Sequence, residues 1–155
     1  MRLILVLLFA FISCNSKKSA HFSTIEIHDT ALIAKINKFI AVNRQTKAMN
    51  QMIISSQLSS HTTIFYLIGD RKPNFKNNRQ ILGCAYVDKV LVWLQGEEPD
   101  GNFISISKAK TENRFEVDDI KGENVIILGH PLQWTLEFKN NTFVSCKSNN
   151  GKDCE

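Results

Sequence analysis

The stretch from Ile81 to Leu94 constrains the fold more than any other, because it is apolar on both alternating faces. Ile81-Leu82-Gly83-Cys84-Ala85-Tyr86-Val87 is followed by Asp88-Lys89 and then Val90-Leu91-Val92-Trp93-Leu94. A strand with one wet face alternates apolar and polar residues, so two unbroken apolar runs read as central strands covered on both sides. Asp88-Lys89 is the expected turn between them. Neither residue is Gly or Asn, so one long bent strand over 81–94 stands as the competing reading.

Around that centre the chain reads as further strands and one helix. Phe22 to Ile27 alternates, with Ile25 and Ile27 on one side and Thr24, Glu26 and His28 on the other. Asp29 or Thr30 then caps an amphipathic helix of about four turns carrying Ala31, Leu32, Ala34, Ile36, Phe39, Ile40 and Asn43. Gln51 to Leu58 and Thr62 to Ile68 form an expected hairpin, followed by a polar loop from Arg71 to Gln80 that contains Pro73. Phe103 to Ser107, Arg114 to Val117 and Val125 to Leu128 are short strand candidates. The clearest local signal is a hairpin in which Trp134, Leu136 and Phe138 alternate with polar residues, Asn140-Asn141 turns, and Thr142 to Cys146 returns. Pairing across that two-residue turn sets Phe138 beside Phe143 and Leu136 beside Ser145.

These elements predict an α+β domain, an antiparallel β-sheet meander with one N-terminal amphipathic helix packed on it. The order of strand, helix and meander resembles cystatin-like and related helix-on-sheet architectures. That likeness is one of architecture and implies no activity.

The N-terminus carries a different message. Met1-Arg2 precedes ten apolar residues, Leu3 to Ile12, and polarity returns at Ser13-Cys14-Asn15-Ser16-Lys17-Lys18. Ten helical residues rise about 15 Å, half of a hydrocarbon core, which fits a signal peptide and not a permanent span. Phe11-Ile12-Ser13-Cys14 resembles the lipobox of bacterial lipoproteins, with Phe11 standing where an aliphatic residue is usual. The resemblance implies cleavage before Cys14 and diacylglyceryl and N-acyl groups on that residue, an anchor of several chains. It divides the chain into a signal peptide, 1–13, a lipidated tether, 14–20, and a single domain, 21–155. It also implies a cell-envelope address. Lipoproteins that reach the cell surface carry acidic residues after the lipidated Cys; the two lysines here point instead to the outer membrane's periplasmic face.

Loss of Arg2 with the signal peptide lowers the formal net charge from +4 to +3. That is too mild for a nucleic-acid partner, and no basic run with interleaved aromatics supplies one. With Cys14 acylated, Cys84, Cys146 and Cys154 remain in an oxidising compartment that permits one bridge. Cys146 and Cys154 enclose a polar, glycine-containing loop and are the expected pair, leaving Cys84 as a buried thiol; a Cys84–Cys146 bridge is the alternative.

Chemical motifs are scarce. A nucleophile elbow, Ser-x-x-Lys accompanied by its partner motifs, and phosphate-cradling glycines are all missing, and the sequence implies no cofactor. Cys84 with His130 is a catalytic pairing disfavoured by the apolar surroundings of the thiol. Glu26 and His28 share a strand face and are the best metal-ligand pair, needing His21 or His61 as a third. Solvation of an outer strand face accounts for them equally well. Glu97-Glu98-Pro99-Asp100-Gly101-Asn102 lacks the Asp-x-Asp-x-Asp-Gly order of a calcium loop and reads as a hairpin tip.

The functional expectation is a protein-binding module of the inhibitor or immunity type, tethered to the membrane through its lipid and facing an envelope protein. Its candidate surfaces are two polar loops, one with Asn74, Phe75 and Lys76, the other with Glu97, Glu98 and Asp100. Two alternatives accompany it. One is a small-ligand carrier or enzyme with a pocket between Phe39 and Ile40 on the helix and Tyr86 and Trp93 on the sheet. The other is a structural accessory subunit of an envelope complex.

Overall fold

A computed structural model describes residues 22–46, 49–71, 73, 81–107 and 132–154. The described elements are β1 (Thr24–Ile27), α1 (Thr30–Thr46), β2 (Gln51–Ser59), β3 (Thr62–Gly69), β4 (Ile81–Val87), β5 (Val90–Gly96), β6 (Ile104–Ser107), β7 (Gln133–Lys139) and β8 (Thr142–Ser148). Arg114 to Val117 and Val125 to Leu128 lie outside the described residues.

The α+β class holds, but the sheet is not an antiparallel meander. Its eight strands run in the order β6-β1-β4-β5-β2-β3-β7-β8, with β1 parallel to β4 and β2 parallel to β5. One event explains both parallel pairs. β1 and β2 run in opposite directions, and the β4–β5 hairpin is inserted between them; an antiparallel hairpin placed there pairs both of its outer sides the same way, here parallel. The expectation failed because it joined strands only to their neighbours in sequence. Hairpins do account for β2–β3, β4–β5 and β7–β8.

The helix starts at an N-cap: Asp29 Oδ1 accepts from Leu32 N at 2.7 Å. Leu32, Ile36, Phe39 and Ile40, spaced three and four residues apart with one adjacent pair, are wholly buried against the sheet. Ala34 is exposed, so it does not belong to the stripe expected from sequence. The sheet meets the helix with Met52, Ile54, Phe65, Leu67, Val90, Val92, Leu94, Trp134, Leu136 and Phe138. Phe39 and Trp134 pack edge to face at 5.3 Å between centroids.

The opposite face is apolar only at its centre. Cys84 pairs with Trp93 and Trp93 with Ile53, and all three are buried; Phe22 closes edge to face on Trp93 at 5.0 Å. The two-sided burial expected for β4 and β5 is therefore present at Cys84 and Trp93, whereas Tyr86, on the same face of β4, is exposed. Asp88 and Lys89 form a true turn, both with positive φ, which disposes of the single bent strand.

The β7–β8 hairpin turns through Asn140 and Asn141 at φ 49° and 60° and sets Phe138 opposite Phe143. Leu136, however, faces Cys146 and not Ser145, because a register shift beyond Phe138 makes Ser145 the partner of Glu137 and leaves Val144 as the extra residue. Such a bulge keeps Leu136 and Cys146 on the core side although the turn alone would count otherwise.

Candidate functional site

The loop leaving β5 is the sequence-predicted surface that lies among the described residues. Gly96 turns it at φ 102°, beside β2. The buried hydroxyl of Ser56 donates to the carbonyls of Gln95, at 3.2 Å, and Glu97, while Ser56 O accepts from Glu97 N at 3.2 Å. Where β5 stops pairing with β2, the Glu97 carboxylate takes over and accepts from Leu58 N. Asp100 Oδ1 accepts from Asn102 N at 2.8 Å, and Asp100 O from Phe103 N at 2.9 Å, which closes the turn.

Two apolar side chains root this loop. Pro99 is buried, and Phe103 is buried among Phe65 and Phe138 at centroid distances of 5.5 and 4.9 Å. Burying a phenylalanine contributes roughly 1.5–3 kcal/mol, so a strong restoring force holds the loop base. Phe103 O in turn accepts from His28 N at 2.8 Å, tying the loop to the start of the helix. What remains outside is polar: Glu97, Glu98, Asp100, Gly101 and Asn102 are exposed. The sequence signalled the turn and its acids. It did not signal Ser56, Pro99 and Phe103 as the parts that fix it; Phe103, expected to begin a strand, is instead the anchor before β6.

The other predicted residues fall out as follows. Glu26 is exposed and pairs with Ser105 across β1 and β6, while His28 Nε2 and Ser105 Oγ are 2.7 Å apart. Among the described residues no three His, Cys, Asp or Glu side chains gather as a metal site. Cys146 and Cys154 are joined by a disulfide, so the Cys84–Cys146 alternative is excluded and Cys84 is a free, buried thiol. Burial pushes the Cys84 thiol up to about 11, which keeps it protonated and unreactive at neutral pH.

The pocket expected between helix and sheet had the wrong lining. Tyr86 and Trp93 point away from the helix, because β4 and β5 present Ala85, Val87, Val92 and Leu94 to it, and Tyr86 is 65% exposed. Phe39 and Ile40 are fully buried in the common core. Cys14, His21, Asn74, Phe75, Lys76 and His130 lie outside the described residues. No helix among the described residues is long and apolar enough to cross a membrane. Comparison with protein-family models, with curated proteins and with solved structures returns no match.

Proposed function

We propose that the chain is a bacterial envelope lipoprotein, held by lipid on Cys14 at the periplasmic face of the outer membrane, whose domain binds another protein as an inhibitor or immunity-type module. The observation that supports this reading is the loop from Gly96 to Asn102: its base is locked by Ser56, Pro99 and Phe103 while its acidic tip stays in water. A loop already ordered before contact loses little conformational freedom on binding, so more of its interaction energy appears as affinity. Three carboxylates on so short a loop favour a basic patch on the partner, which speeds encounter and rejects acidic surfaces.

The test is affinity capture from detergent-solubilised envelope with the full-length chain as bait, in parallel with a Glu98→Arg version. Glu98 serves because Glu97 and Asp100 hold the loop together. A specific protein should be retained by the original chain, with recovery at least tenfold lower for Glu98→Arg. Repeated recovery of no protein, or equal recovery by both baits, removes this reading of the loop.

A further inference from the structure

Phe22, the first of the described residues, packs edge to face on Trp93, on the face of the sheet that α1 leaves uncovered. The chain therefore enters the domain on that side. Between Cys14 and Phe22 it has eight steps, a flexible reach of about 16 Å. A domain the length of residues 21–155 has a radius of gyration of about 14 Å, so the tether's ordinary reach does not extend around it. The face at which the chain enters is an unusual one. β4, β5, β2 and β3 are adjacent in the sheet and contain no Asp, Glu, Lys, Arg or His, in a chain that is 22% charged. An outer face made for water alternates to polar and charged residues. Here Ile68, Ile81 and Leu91 surround the buried Ile53, Cys84 and Trp93. Both tyrosines of the chain, Tyr66 and Tyr86, share this face, because their strand neighbours point to the helix, and Tyr86 is 65% exposed. The polar groups among them are amides and hydroxyls: Tyr66 Oη donates to Gln57 Oε1 at 3.2 Å.

We propose that this helix-free face of the sheet lies against the lipid bilayer, with Tyr86 at the level of the headgroups. The proposal rests on the lipid anchor at Cys14 and adds the orientation that an anchor leaves open. A tyrosine at the boundary of water and hydrocarbon buries its ring while its hydroxyl stays hydrated, and uncharged neighbours avoid the cost of stripping water from an ion. One exposed tyrosine and a few half-buried aliphatic side chains are too little to hold the domain there unaided. The acyl chains supply a high local concentration at the surface, and the face then selects which side of the domain docks. α1 is turned away from the lipid in this arrangement.

The test places a reporter on each side of the domain: Tyr86→Trp on the sheet face and Ala34→Trp at an exposed position of α1. The full-length chain, purified from membranes, is reconstituted into vesicles of phosphatidylethanolamine and phosphatidylglycerol whose acyl chains carry bromine close to the glycerol. Tryptophan emission of each variant is read against the unsubstituted chain. Bromine should lower the emission added at position 86 at least about twofold and leave the emission added at position 34 unchanged. Equal quenching at both positions overturns the proposal, as does no quenching at position 86 in a chain that carries acyl groups and floats with the vesicles; the anchor survives either result. Emission at position 86 that is already blue-shifted in detergent and that bromine does not reach would show a protein surface over the face, with the same consequence. A chain whose mass shows no acyl groups ends the lipoprotein reading itself, and this proposal with it.

Discussion

Gly96 shows how a single residue fixes the candidate loop. Its φ of 102° belongs to glycine, and a Cβ there would collide with the carbonyl oxygen of Ser56. That oxygen already accepts from Glu97 N and cannot retreat without opening the β2–β5 junction. Gly96→Ala should therefore cost at least about 2 kcal/mol in urea unfolding, where a change under about 0.5 kcal/mol would show the junction to be pliable. Cys84 makes the opposite case, a residue whose chemistry is suppressed by its surroundings. Below pH 9.0 its thiol is protonated in both the folded and the unfolded chain. Between pH 9.0 and about 11 the unfolded chain releases the proton and the native one keeps it, so stability contributed here falls as pH rises through that window. Cys84→Ala removes this contribution. Urea midpoints of the two proteins plotted against pH should converge or cross above pH 9.0, and strictly parallel curves would refute the account.

At the scale of elements, two turns of the same kind differ in how they are held. Asn140 and Asn141 accept positive φ with little penalty, and the sequence announced them. Asp88 and Lys89 adopt the same region, at 45° and 63°, and Lys89 does so without the short polar side chain that eases it. The helix end compensates: the Arg44 guanidinium donates to both the carboxylate and the carbonyl of Asp88. With side chains 38% and 58% exposed, this ion pair is worth less than about 1 kcal/mol, so the strain at Lys89 is not fully relieved. Lys89→Gly should accordingly stabilise the protein by about 0.5–1 kcal/mol, read as a higher urea midpoint at unchanged slope; a lower midpoint would mean that glycine's extra freedom in the unfolded chain dominates. The periodicity of two in Trp134-Leu136-Phe138 and the two-sided apolarity of residues 81–94 were legible because each is a local pattern. The bulge at Val144 was not, since it depends on which face Cys146 must reach to bond Cys154.

For the whole molecule, strand order was the least legible property. Nothing in the apolar pattern of β4 and β5 states that they lie between β1 and β2, because that placement is set by long connections and by the helix face they must cover together. The site was legible by halves for the same reason: the acids of the loop are local, whereas Ser56 and Phe103 act across the sheet. The proposed attachment is a whole-molecule property as well. On this reading the acyl chains on Cys14 retain the domain at the bilayer. Burial of about 0.8 kcal/mol per methylene makes two or three chains sufficient, and a serine at that position cannot carry the thioether-linked chain. Cells producing the native chain should incorporate radiolabelled palmitate into it and retain it in the membrane fraction, while Cys14→Ser should lose the label and move to the soluble periplasmic fraction. Membrane retention of an unlabelled Cys14→Ser chain would require another attachment and would end the lipoprotein reading.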